Sequence, residues 1–216
     1  MIISSLRSLR LGFASVLLLS FGAIACGSSN GGGGSGSTVS TYTGTGTLLT
    51  SSAGTVLKSV MVNAADNIAS LFIPIGTKAL DANGKPLGEI GLKPLAGDAV
   101  PAVPSGSVFK FAGYAYEASP DGATFDPAIT LSLDIPEDVW NSLDLTNQQC
   151  MMKWYNKESG LWEDIPTTII PGTRTVEIRI THFSIYALFT EPVTTPTTPT
   201  ETVTTAPPAT PTTPTA

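Results

Sequence analysis

The segment AITLSLDI, residues 128–135, alternates large apolar side chains with small or polar ones. Its apolar members are Ile129, Leu131, Leu133 and Ile135. Side chains of a β-strand point to opposite faces in turn, so this period of two predicts a strand with one face in a core and the other in solvent. No long stretch with a helical period of 3.6 follows the N-terminal apolar region. We therefore predict an all-β fold.

Turn signals and short apolar runs surround that strand. Asn83-Gly84 lies between two extended stretches and predicts a β-hairpin. The stretch SPDG, 119–122, predicts a turn, because proline presets its φ and glycine tolerates a positive φ. Residues 136–143 begin with proline and acids and predict a short helix or turn. Many short strands with Gly/Pro turns indicate a sandwich or a barrel, and we predict an antiparallel β-sandwich. The other predicted strands are 38–50 (an edge strand), 56–62, 68–75, 88–95 and 108–117.

A second hairpin is predicted where strands 150–155 and 161–165 flank the loop NKESG. A five-residue loop places Trp154 opposite Trp162 and Lys153 opposite Glu163. Aromatic pairs and opposite charges across neighbouring strands stabilise a sheet by roughly 0.2–1 kcal/mol per pair. The sequence therefore favours this register.

The N-terminus has the layout of an export signal. Arg7 and Arg10 precede an apolar region, 11–24, and small residues stand before Cys26. The apolar region is shorter than the roughly 20 residues that a membrane-spanning helix needs. The tetrapeptide AIAC, 23–26, resembles the lipobox of bacterial and archaeal lipoproteins, and that resemblance implies a signal peptide over 1–25 and a lipid on Cys26. The alternative is an ordinary secretory signal that is cleaved before an incidental cysteine.

Composition divides the rest of the chain into a domain and two appendages. Residues 26–37 are rich in Gly and Ser, and residues 190–216 are rich in Thr and Pro, so we expect a disordered tether and a disordered tail around a domain at 38–189. The net charge of −6 gives no electrostatic footprint for nucleic acid. If Cys26 carries lipid, Cys150 has no partner in the chain, and we predict that it is a small buried apolar residue.

Four segments occur in an order that is typical of a known domain family. They are SLFIPIGTKAL (70–80), SPDGATFDPAITLSLDIP (119–136), the tryptophan segment 154–162 and THFSIYAL (181–188). Together they resemble the ZU-five domain, a β-sandwich named from zonula-occludens proteins and Unc-five netrin receptors and also found in ankyrins. The resemblance covers about residues 68–188 and is strongest to microbial surface relatives. It implies a structural or protein-interaction module.

The triplet His182-Phe183-Ser184 in the last segment contains the only histidine of the chain. Some ZU-five members cleave themselves within His-Phe-Ser, and the resemblance implies that here the bond between Phe183 and Ser184 would break. Ser184 would be the nucleophile, and His182, whose ordinary pKa is about 6.5, would accept its proton. Apolar residues occupy even positions as far as Ile180 and odd positions from Phe183, so we predict a bulge or bend at Thr181-His182. The alternative is ordinary strand alternation with no chemistry.

The remaining candidate sites have competing structural explanations. Asp81 begins a segment that superficially resembles a calcium loop, but the later acidic ligands are missing, so we predict a turn. The adjacent acids at 137–138 and 163–164 are more typical of solvated loops than of a glycosidase, which needs two carboxylates across a cleft. Trp140, Trp154 and Trp162 would form either a carbohydrate-stacking platform or part of the core, and we favour the core.

The sequence as a whole predicts an exported, membrane-anchored protein of the cell envelope. We expect a non-enzymatic β-sandwich for protein interaction or envelope structure, bound to the membrane through lipid on Cys26 and partnered by a surface protein or glycan. A self-cleaving module and a carbohydrate-binding surface module are the alternatives. The sequence has no zinc-type Cys/His cluster and no phosphate-binding loop, so we expect no cofactor and no metal.

Overall fold

The computed structural model describes residues 39–193, which form two β-sheets and one short α-helix. The seven-stranded first sheet has the order β1-β3-β4-β8-β12-β11, with β5 also paired to β8, and the six-stranded second sheet has the order β10-β9-β13-β7-β6-β2. The predicted mostly β, two-sheet fold is confirmed. The strands are β1 Ser40–Thr43, β2 Thr45–Thr47, β3 Val60–Asn63, β4 Ala69–Ile73, β5 Lys78–Leu80, β6 Glu89–Leu95, β7 Lys110–Ser119, β8 Thr124–Asp134, β9 Gln148–Asn156, β10 Leu161–Asp164, β11 Thr167–Ile170, β12 Thr175–His182 and β13 Ile185–Pro192. The helix, α1, spans Glu137–Ser142.

The main core lies between the two sheets, and the alternating strand β8 supplies part of it. Ile129, Leu131 and Leu133 are buried in the main core cluster, whereas Thr130 and Ser132 are partly exposed on the other face. Burying a large aliphatic side chain contributes roughly 1.5–3 kcal/mol. The half-buried strand that the sequence predicts is therefore present, with the predicted face inward.

A second, smaller cluster covers the outer face of the second sheet. It contains Ile185, Ala187 and Phe189 of β13, whereas Tyr186 and Leu188 of the same strand face the main core. Both faces of β13 are therefore buried over 185–189, and the sequence is continuously apolar there, as it is in strands covered on two sides. The segment between β6 and β7 supplies part of the outer cover through its side chains Val100, Val103 and Phe109.

The predicted edge strand over 38–50 is divided between the two sheets. β1 pairs with β3 in the first sheet, and β2 pairs with β6 in the second. Gly44, at the junction, has φ +73°, a left-handed conformation that glycine adopts without strain. The pairing of β1 with β3 is parallel, so the sheets are not wholly antiparallel. A continuous strand is excluded because the chain bends at Gly44 and passes from one sheet to the other.

The hairpin of β9 and β10 has a different register from the predicted one. Trp162 pairs with Tyr155, and Trp154 pairs with Glu163, because the loop has four residues, 157–160, and not five. The amide of Gly160 donates to the carbonyl of Asn156, which closes this tighter turn. A shift of one residue moves every side chain to the other face of a strand. The two tryptophans therefore lie on opposite faces of the second sheet.

The other predicted turns and the short helix are present. The turn at Asn83-Gly84 is present and Asp81 closes it, but the hairpin predicted around it is limited to one bridge, between Leu80 and Pro86, because β5 and β6 belong to different sheets. Gly122 has φ +73° in the turn between β7 and β8. No helix within residues 39–193 is long and apolar enough to cross a membrane. The predicted signal peptide over 1–25, the predicted lipid site at Cys26, the predicted tether over 26–37 and most of the predicted Thr/Pro tail lie outside the described residues.

Candidate functional site at the crossover between the sheets

The triplet His182-Phe183-Ser184 is the point where the chain passes from the first sheet to the second. β12 ends at His182, and β13 begins at Ile185. The pairing of β12 with β8 also shifts here, because Ile180 pairs with Ile129 and His182 pairs with Thr124. The irregularity predicted at Thr181-His182 is confirmed. Its cause is the change of sheet, which also explains why the apolar positions change phase.

Phe183 holds the crossover from inside the core. Its ring is fully buried and lies 4.6 Å from the ring of Phe125 on β8, between centroids. Its amide donates a hydrogen bond of 2.9 Å to the carbonyl of Ala123. The first residue of the candidate scissile bond is therefore held by both its side chain and its backbone.

Ser184 is buried, and its polar groups are hydrogen-bonded to two strands of the second sheet. Its hydroxyl donates to the carbonyl of Tyr155 on β9 over 2.8 Å. Its own carbonyl accepts from the amide of Ala118 on β7 over 3.0 Å. The side chain thus links the crossover to β9, and the hydroxyl proton points at a backbone oxygen. Nucleophilic attack would first require that this hydrogen bond break.

His182 lies half-buried beside Trp154, with ring centroids 4.7 Å apart and ring planes nearly perpendicular. Its carbonyl accepts a hydrogen bond of 2.5 Å from the hydroxyl of Tyr186. Within the described part of the chain its buried Nε2 has no hydrogen-bond partner. Burial lowers the pKa of the imidazole, and the charges of Asp121 and Glu163 oppose that shift. The ring is therefore neutral near pH 7, which is the form that accepts a proton.

The structure brings His182 and Ser184 to one open depression but joins them by no hydrogen bond among residues 39–193. Residues of the β9–β10 turn and of the β7–β8 turn complete the depression, and Lys157 and Asp121 tie these turns together with an ion pair of 2.9 Å. A neutral imidazole and a hydroxyl are both present, but the proton relay between them is not formed. The lining residues are Asp121, Gly122, Trp154, Tyr155, Asn156, Lys157, Glu158, His182, Phe183 and Ser184.

The three tryptophans do not form one platform. Trp162 is buried in the outer cluster, where its ring packs against those of Tyr155 and Phe189. Trp154 lies on the opposite face beside His182, and Trp140 of α1 packs on the main core. The favoured interpretation, that the tryptophans belong to the core, agrees with this arrangement.

The remaining predicted residues occupy structural positions. The Asp81 carboxylate accepts hydrogen bonds from the amides of Lys85 and Asn83, and the first of these contributes most to lowering its pKa. It therefore closes a turn, as predicted. Cys150 is buried with a free thiol, and burial raises its pKa. No group of three or more His, Cys, Asp or Glu side chains that could hold a metal ion occurs within 39–193.

The adjacent acids at 137–138 and 163–164 do not act as pairs, because Glu137, Glu163 and Asp164 each contact a different partner. Asp164 forms an ion pair with the buried Lys153, Glu163 accepts a hydrogen bond from Asn156, and Glu137 lies 3.9 Å from Arg174. The Lys153 ammonium also lies 4.3 Å from the centre of the Phe109 ring, a cation–π contact.

Sequence reasoning missed the two groups that fix the crossover, the carbonyl of Tyr155 and the hydroxyl of Tyr186. The first is a backbone atom 29 residues from its partner, so no residue type marks it. The second lies four residues after His182, in a strand whose continuous apolar character was the available signal of double burial.

The sequence matches no model of a known protein family, and it matches no curated protein. The structure itself shows a β-rich domain of two sheets.

Proposed function

We propose that this chain is a cell-envelope lipoprotein whose β-sandwich serves protein interaction or envelope structure and performs no catalysis. The signal layout before Cys26 supports the anchor, and the order of the four segments similar to ZU-five domains supports the interaction module. The two-sheet fold is compatible with that resemblance.

One observation carries the non-catalytic part of the proposal. The candidate nucleophile, Ser184, donates its hydroxyl proton to the carbonyl of Tyr155 and thereby ties the crossover to β9. A buried hydroxyl with a backbone acceptor is a stabilising contact, and a serine without a base to take its proton is a poor nucleophile. The triplet therefore acts as a corner that joins the two sheets.

The anchor is tested on protein purified from the membranes of cells that express the full chain. We expect the intact mass to correspond to a chain that begins at Cys26 and carries an acyl modification. Cys26→Ala should abolish that modification and move the protein out of the membrane fraction. A mature chain that begins at Cys26 without added mass would refute the lipoprotein proposal.

Self-cleavage is the second candidate, and the state of His182 favours it. The imidazole is neutral near pH 7, and its Nε2 has no partner within the described residues. In this reaction the Ser184 oxygen would attack the carbonyl carbon of Phe183 while His182 accepts the hydroxyl proton. The C–N bond would then break, the amine of Ser184 would take a proton, and water would hydrolyse the resulting ester.

Intact mass also decides between the two candidates. The non-catalytic module predicts one intact chain on a denaturing gel. Self-cleavage predicts a break after Phe183 and two fragments that stay associated under native conditions, because β13 is paired on one side with β7 and on the other with β9. Ser184→Ala would then restore the intact chain.

A further inference from the structure

Three exposed aliphatic side chains lie together near one edge of the domain. Leu49, Leu57 and Ile75 are 61 %, 49 % and 56 % exposed. The amide of Leu57 donates to the carbonyl of Leu49, and the amide of Gly76 donates to the carbonyl of Val56, both over 2.8 Å. Their segments are therefore direct neighbours. We call Leu49, Leu57 and Ile75 the aliphatic patch.

The described chain begins next to the aliphatic patch. The amide of Ser40 donates to the carbonyl of Ser59, and the Ser59 hydroxyl accepts a hydrogen bond of 2.9 Å from the amide of Ile75. Ser59 itself follows Leu57 and Lys58 in the sequence. The N-terminal end of the described chain, at Val39, therefore lies beside the patch.

The charge around the aliphatic patch differs from that of the whole protein. Lys58 follows Leu57 directly, and segments 39–62 and 68–80 contain no Asp or Glu, although the chain has 17 acidic residues and a net charge of −6. Lys78 also lies on this edge, but it pairs across the sheet with Asp126 of β8. Exposed aliphatic side chains next to Lys58 suit a surface of anionic lipid headgroups over an acyl boundary.

We propose that the aliphatic patch lies against the lipid bilayer to which Cys26 is attached. This inference rests on the proposed lipid anchor. Residues 27–38 number twelve and are mostly Gly and Ser. At full extension they reach at most about 40–43 Å. A tether of this length keeps the patch within reach of the membrane, and Lys58, next to Leu57 in the chain, would lie near lipid phosphates when the patch contacts the interface.

The test uses the full-length lipidated protein, reconstituted in vesicles of phosphatidylethanolamine and phosphatidylglycerol. Leu57→Cys receives a polarity-sensitive fluorophore, and a second sample carries the same fluorophore at Leu161→Cys. Leu161 is a matched control, because it is 51 % exposed and lies on β10, at the opposite edge of the second sheet from β2. Cys150 is buried, and the lipid blocks Cys26, so the introduced thiol takes the label.

We expect the label at position 57 to shift to shorter emission wavelengths and to be quenched by spin-labelled lipid chains, while the label at 161 stays solvent-like. Solvent-like emission at both positions overturns the inference, and so does equal quenching at both. A blue shift at 57 that lipid spin labels do not quench, and that grows with protein concentration, indicates contact between copies of the chain and also overturns it. The mass of the same sample reports the acyl group, so failure of the anchor is scored separately from failure of the patch.

Discussion

Replacing Ser184 by alanine removes the hydroxyl that links the crossover to β9. A typical hydrogen bond contributes about 0.5–1.5 kcal/mol net, and a buried acceptor left without a partner costs roughly 1–3 kcal/mol. The Tyr155 carbonyl is the acceptor, and Ser184 is buried, so the substitution leaves this carbonyl without the donor that Ser184 supplies. We expect Ser184→Ala to lower the free energy of unfolding by about 1–2 kcal/mol.

Urea unfolding, followed by tryptophan fluorescence, measures this loss. With a denaturant slope of about 2 kcal/mol/M, the midpoint should fall by roughly 0.5–1 M. Ser142→Ala is the matched control, because the Ser142 hydroxyl also donates to a backbone carbonyl, that of Val139, but at an exposed site. The control should change stability by less than about 0.5 kcal/mol. Equal midpoints for the two variants would show that the Ser184 hydroxyl does not hold the crossover.

Two further predictions concern titratable side chains near the second sheet. Because burial lowers the folded-state pKa of His182 below its ordinary value of 6.5, its contribution to stability is complete above pH 6.5 and is lost as the pH falls through the lowered pKa. His182→Gln should therefore flatten the pH dependence of urea unfolding between about pH 7.5 and 5, and an unchanged slope would contradict the assignment. At the ion pair of Lys153 and Asp164, Asp164→Ala leaves a buried ammonium without its carboxylate, whereas Lys153→Met removes the charge and keeps the stem. We expect Asp164→Ala to lower the free energy of unfolding more than Lys153→Met in the same assay. The reverse order would show that the unpaired buried charge is not the main cause of the destabilisation.

The features that the sequence predicts best are those that one short segment determines. The alternation in β8, the acid-initiated helix α1 and the turn closed by Asp81 all follow from neighbouring residues. The predicted β9–β10 register is wrong because the turn, and not the favourable cross-strand pairs, determines it. Hydrogen bonds from the turn to Asn156 close a four-residue loop, and that local geometry decides which tryptophan faces the core.

The sequence predicts where the irregularity beside the triplet lies, but it does not predict that the chain changes sheets there. The change of phase between Ile180 and Phe183 was visible in the sequence, and a bulge inside a single strand was one way to produce it. In the structure the phase changes because the chain moves from the first sheet to the second. The apolar side chains of β13 therefore pack alternately in the main core and in the smaller outer cluster. The acceptor at Tyr155 belongs to a strand 29 residues away, and only the assembled sheets place it.

This origin of the irregularity bears directly on self-cleavage. A strained backbone beside Phe183 would favour breakage of the Phe183–Ser184 bond, and a break in strand phase is a natural place to look for it. A chain that changes sheets needs such a break for purely topological reasons. Within 39–193, the non-glycine residues with left-handed φ are Asn67 and Arg174, and neither adjoins the triplet. The phase change is therefore accounted for without stored strain, which is why we place the structural role of the triplet first.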